Sequence, residues 1–181
     1  TYNWTDQGPT GGTRFAATYT STLAHGAQTG TATLAQSFQI TNPNASALSI
    51  VLFNYADIEA NGPNPLDTDT ATGGLGSITD SDGPWQVTHA ANGASAFQAS
   101  VYSDIRDFLL DSAVNNLNNS GLPFGPGDYT GAFQWNLTVP ANGSLTVTSS
   151  LAIAPVPEPG TLLLTGFAAG LIAWRRRSMF R

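Results

Sequence analysis

The 181 residues include no cysteine, no lysine, one methionine and only two histidines, His25 and His89. Without cysteine the chain has no disulfide, no thiolate metal site and no cysteine nucleophile. Charge is also scarce: 10% of residues are Asp, Glu, Lys or Arg, against roughly a quarter in ordinary soluble domains. Thr, Ser, Asn, Gln and Gly must therefore wet the surface, a habit of exported β proteins. A formal net charge of −6 leaves no basic patch to displace counterions from a phosphate backbone, which excludes nucleic acid as a partner. Catalytic groups are equally few. Glu59 is the only glutamate before residue 158, no strained-elbow nucleophile motif occurs, and two histidines so far apart in sequence do not form a zinc site. The inventory points to a non-catalytic protein that needs no cofactor.

What charge there is divides the chain in two. Residues 1–154 set Arg14 and Arg106 against eleven acids, a net −9, whereas residues 155–181 set four arginines against Glu158, a net +3. The second part begins with Pro155, Pro157 and Pro159, which fix φ and remove amide donors, so residues 155–159 are expected to be an extended linker. Residues 160–174 carry no charge. Leu162, Leu163, Leu164, Phe167, Leu171 and Ile172 surround a helix on all sides, with Gly166, Ala168, Ala169 and Gly170 between them, the composition of a helix facing lipid. Trp174 falls at the interface, and Arg175, Arg176 and Arg177 then stop the segment on the cytoplasmic side by the positive-inside rule. Fifteen residues span roughly 22 Å as a helix, short of a hydrocarbon core of about 30 Å, and arginine snorkelling with local thinning absorbs some of the gap. The expected organisation is an extracytoplasmic domain over 1–154, a linker over 155–159, a transmembrane helix over 160–174 and a basic cytoplasmic tail over 175–181. Thr1 in place of Met is read as the trace of a removed signal peptide.

Pro157-Glu158-Pro159, a short hydrophobic helix and Arg175-Arg176-Arg177, in that order at the C-terminus, resemble the PEP-CTERM sorting signal in all three of its parts. The same tail also goes under the name of an ice-binding protein C-terminal domain, which describes the passenger of some members. The resemblance covers about 25 residues. It implies recognition of Pro157, Glu158 and Pro159 by an exosortase, insertion in the inner membrane before processing, and delivery to the cell surface or to an exopolysaccharide-rich biofilm matrix. The sequence departs from the family pattern at Gly160, where Ser, Ala or Thr usually follows the motif.

Period-two alternation runs through residues 1–154. Phe15, Ala17 and Tyr19, then Ala32, Leu34, Phe38 and Ile40, read as half-buried strands. Leu48 to Tyr55 is apolar on both faces and is expected to be a central strand. Trp85, Val87 and His89, then Phe97, Ala99 and Val101, give two more strands. Phe133, Trp135, Leu137 and Val139, a turn over residues 140–144, then Leu145, Val147, Leu151 and Ile153 read as a hairpin. Ile105, Phe108, Leu109, Ala113 and Leu117 recur at helical spacing behind Ser103 as N-cap, with residues 118–121 ending the helix. One helix among seven or so strands predicts an all-β, two-sheet sandwich of jelly-roll or immunoglobulin-like type with an inserted helix, followed by the C-terminal hydrophobic helix.

Two binding chemistries stand out in the body. Residues 60–84 read as a long loop rich in Gly, Pro, Asp and Thr, in which Asp67, Asp69, Asp80 and Asp82 are candidate calcium ligands, hard oxygens at alternate positions. The twelve-residue calcium loop is not met, since counting from Asp67 puts Thr72 at the glycine position and Ile78 at the final glutamate. Trp4, with Tyr2, and Tyr129, beside Asp128, are candidate platforms for a glycan, because aromatic faces take sugar C–H surfaces without charge. The functional expectation is therefore a non-catalytic surface or matrix protein. The alternative is a glycan-binding module of the exopolysaccharide matrix, with calcium assistance. Thr-x-Thr pairs at Thr18/Thr20/Thr22, Thr29/Thr31/Thr33, Thr68/Thr70/Thr72 and Thr146/Thr148 share no repeat period and suit the wet face of strands.

Overall fold

The computed structural model describes residues 1–7, 12–61, 68–111, 113 and 115–156. In chain order its elements are β1 (Tyr2–Gln7), β2 (Thr13–His25), β3 (Ala32–Thr41), β4 (Leu48–Asp57), β5 (Asp69–Gly74), β6 (Ser77–Asp82), β7 (Trp85–Ala91), β8 (Ala96–Val101), α1 (Asp104–Leu110), β9 (Phe124–Gly127), β10 (Tyr129–Val139) and β11 (Ser144–Pro155). The strands form two antiparallel sheets, a large one ordered β1-β2-β3-β11-β7-β6-β5-β9 and a small one ordered β4-β10-β8. The protein is thus mainly β, in two sheets with a single short helix among the described residues.

Alternation decides which side chains meet between the sheets. From the small sheet, Ala56, Ala99, Phe133 and Trp135 turn inward onto Ala71, Ile78, Val87, Ala91 and Val147 of the large one. Trp135 also satisfies its indole N–H, which donates to the Asn92 carbonyl at 2.9 Å. Burying each of these larger side chains contributes about 2 to 3 kcal/mol. The other face of the large sheet is hydroxylated: Thr20, Ser37 and Thr148 align across β2, β3 and β11, and Thr72, Thr79 and Thr88 across β5, β6 and β7. Most of the threonine repeats therefore fall on the wet face of strands, whereas Thr29, Thr31 and Thr68 lie in connections between them.

Four local expectations are corrected. Residues 69–82, expected to lie in a long loop, form the antiparallel β5–β6 pair, in which the aspartates at alternate positions share the inward face. Residues 48–55 form an edge strand, because β4 pairs only with β10, and it is β10 that lies in the centre of the small sheet. The double apolar pattern of β4 has another cause: Leu52 faces the intersheet core, while Phe53 and Tyr55 on the opposite side pack with Ile105, Leu117 and Ala132 beneath α1. Next, β10 and β11 are not a hairpin, since they belong to different sheets and residues 140–143 carry the chain from one sheet to the other. Asn142 at φ 50° and the Gly143 N–H donating to the Pro140 carbonyl at 3.1 Å shape that turn, while buried Asn42 clamps it by donating from Nδ2 to the Pro140 carbonyl at 3.1 Å. Finally, α1 stops at Leu110. The Asp111 carboxylate accepts the Ala113 N–H at 2.7 Å and Asn115 Nδ2 at 2.8 Å, an Asx turn that competes with another helical turn.

Candidate functional site

Six of the acidic side chains form two groups of three. Asp69, Asp80 and Asp82 occupy inward positions on β5 and β6, each less than 5% exposed, and the Asp82 carboxylate accepts the Thr68 hydroxyl at 3.1 Å. The structure therefore keeps three of the four sequence-predicted calcium ligands on one sheet face, and Asp67 lies outside the described residues. Sequence reasoning missed the second group. Asp57, Glu59 and Asp128 bring carboxylate oxygens within 4.8 Å of one another, because β10 begins beside the end of β4, with Thr130 opposite Asp57. The only signal for it was the Asp57-x-Glu59 spacing at the end of an apolar run. Three convergent carboxylates have the donor chemistry that suits a hard cation. Their field reaches nearby groups: burial first, and then the Asp57 carboxylate, push the Tyr55 phenol up to about 12.

Both arginines among the described residues are engaged elsewhere. Arg14 pairs with Asp6 at 2.5 Å, and Arg106 pairs with Asp107 at 2.9 Å while its guanidinium lies 4.8 Å from the Tyr102 ring centroid.

The two aromatic candidates part company. Trp4 is 45% exposed and sits on β1 with Tyr2, which is 69% exposed. Tyr129 is fully buried, its ring edge-on to Phe124 with centroids 5.5 Å apart. Burial, and then the Asp80 carboxylate, raise its phenol well above the usual tyrosine range. Tyr129 is therefore a core residue unavailable to a glycan, because alternation along β10 turns it between the sheets while Asp128 precedes the strand. His89 is likewise fully buried, with its Nε2 2.7 Å from Asn54 Oδ1, and burial lowers it to about 4.

A shallow concavity of about 390 Å³ lies over the hydroxylated part of the large sheet, lined by Thr20, Thr22, Ser37, Asn92, Thr148 and Ser150 among others. Neither acidic group contributes to that lining.

At the C-terminal end of the sheet, β11 runs through Pro155, whose Cα pairs with Trp85, and the Val156 N–H donates to the Pro84 carbonyl at 2.7 Å. From this point the chain matches a known family model. Residues 155–177 correspond to the PEP-CTERM protein-sorting motif. The chain carries a PEP-CTERM sorting signal. Among curated proteins, none matches it. A PEP-CTERM motif marks an exported protein processed at the membrane, and its implied partner there is an exosortase. Pro157, Glu158 and Pro159, the expected helix over 160–174, and Trp174, Arg175, Arg176 and Arg177 lie outside the described residues. Among the described residues no helix is long and apolar enough to cross a membrane.

Proposed function

We propose that this is a bacterial cell-surface or biofilm-matrix protein whose β-sheet body is a non-catalytic scaffold, delivered by its PEP-CTERM signal. In this reading residues 160–174 hold the protein in the inner membrane, Arg175, Arg176 and Arg177 fix its orientation, and an exosortase acts near Pro157-Glu158-Pro159. The observation that carries it is the match over residues 155–177. The hydroxyl-rich, charge-poor outer face of the large sheet supports a structural role, since its hydroxyl groups keep it hydrated. Expression beside a cognate exosortase tests the proposal. The mature protein should lose the mass of the hydrophobic segment, and Glu158→Ala should leave it full length in the membrane fraction. A full-length wild-type product in that host, or localisation indifferent to Glu158→Ala, refutes it.

A second reading, a glycan-binding module of the exopolysaccharide matrix, is favoured by one observation, the exposure of Trp4 next to Tyr2.

A further inference from the structure

The small sheet stops short of one side of the large one. Across β11, β3, β2 and β1, Val147, Phe38, Tyr19 and Tyr2 form one inward row, and along it exposure climbs from 5% at Val147 to 69% at Tyr2. Trp4 ends the next row at 45% and Leu23 stands on the same face at 72%. Large apolar side chains exposed together, rather than singly, mark an interaction surface.

The rings are ordered into a platform. Tyr2 and Tyr19 stack at 24° with centroids 6.3 Å apart, and Tyr19 meets Phe38 at 4.8 Å. Tyr19 is held from below: its hydroxyl accepts Gln36 Nε2 at 2.9 Å, while Gln36 Oε1 accepts the Ser149 hydroxyl at 3.0 Å. Ser21, Gln36 and Ser149 make the adjacent row. A strip of aromatic faces thus runs beside a strip of hydroxyl and amide groups, and neither strip contains a charged side chain.

Resting on the glycan-binding reading and naming its site and ligand class, we propose that the overhang of β1, β2 and β3 binds a neutral glycan chain. Pyranose C–H faces stack on Tyr2, Trp4 and Tyr19, and sugar hydroxyls bond Ser21 and the amide of Gln36. Charge selects among occupants. A net −9 over residues 1–154 repels an acidic polysaccharide, and it also opposes two copies of the chain meeting platform to platform. An uncharged polyhydroxyl chain incurs neither repulsion.

The test is affinity electrophoresis of the full 181-residue chain in detergent micelles, through gels containing laminarin or hydroxyethylcellulose as neutral probes and alginate as the acidic one. Wild type should be retarded by a neutral probe and not by alginate. Trp4→Ala with Tyr2→Ala should weaken retardation about tenfold or more, with far-UV circular dichroism unchanged and cooperative melting retained, because both side chains lie on an edge strand outside the core. Retardation by a neutral probe that survives the double substitution overturns the platform but leaves glycan binding standing. No retardation by either neutral probe overturns both. Retardation by alginate alone overturns the neutral specificity, and a dimer that the double substitution dissociates assigns the surface to a second copy instead.

Discussion

His89 Nε2 on β7 and Asn54 Oδ1 on β4 lie 2.7 Å apart, a buried polar contact between the two sheets beside the Phe133 ring. Asn54 Oδ1 is an acceptor, so His89 donates from Nε2 and is neutral with a bare Nδ1. That Nδ1 is buried and has no hydrogen-bond partner. Protonation would therefore place a charge and an unmatched donor among Phe133 and its neighbours.

A dependence of stability on pH follows. The folded protein holds His89 near 4 against about 6.5 in the unfolded chain, so between these values the unfolded state binds more protons. The stability due to neutral His89 is complete above pH 6.5 and is lost as pH falls toward 4, on the order of 3 kcal/mol in all. Urea midpoints at pH 7 and pH 5 should show the loss in wild type. His89→Gln, which keeps a donor for Asn54, should show a smaller one.

Asn42 offers a second test. Its side chain is completely buried, donates to the Ser46 and Pro140 carbonyls at 2.8 and 3.1 Å and accepts the Asn44 N–H at 3.0 Å. It thereby ties the loop after β3 to the crossover between sheets. Asn42→Ala removes these hydrogen bonds from a fully buried site and should cost about 3 kcal/mol in urea unfolding. Asn42→Asp should not rescue it, because the donors are lost.

Gly121 tests the backbone. It has φ +92°, and an added Cβ would stand 1.8 Å from the Ala99 carbonyl oxygen on β8. Gly121→Ala must move main chain against main chain as well as occupy a strained φ. Its melting temperature should fall by several degrees, whereas Gly12→Ala, with nothing within 4 Å of an added Cβ, should leave it unchanged.

Strand β11 sets the boundary for truncation. A chain ending at Ser150 removes the sheet partners of Trp85, Val87 and His89 and should lose cooperative unfolding. A chain ending at Val156 keeps every described pair and should retain it, as measured by near-UV circular dichroism on heating.

Much of this fold is legible in the sequence because side-chain alternation reports on its own strand. Phe133, Trp135, Val87 and His89 were readable as inward residues on that basis. Alternation does not say which sheet a strand joins. Residues 140–144 look like a hairpin turn, yet the crossover is specified by Asn42, some hundred positions away in the chain. Leu48 to Tyr55 likewise suggests a central strand, because the sequence does not show that α1 covers one of its faces. Leu117 keeps helical spacing and so suggests a longer helix, although its N–H donates to Gln134 Oε1 at 2.7 Å outside any helix. At the candidate sites, Trp4 and Tyr129 are chemically similar on paper. Only the position of each row relative to the edge of the small sheet exposes one and buries the other. Asp57, Glu59 and Asp128 come together through the pairing of β4 with β10, a relation that no local spacing encodes.

The place of β11 bears on how the protein takes mechanical load. This strand is flanked by β3 and β7 and leads into the segment that matches the sorting motif, so in the proposed surface-held state a pull from the C-terminal side enters through an interior strand. Pulling along β11 stresses its many lateral bonds together, in shear. Had the tether left from β1, the same pull would peel an outermost strand away one bond at a time.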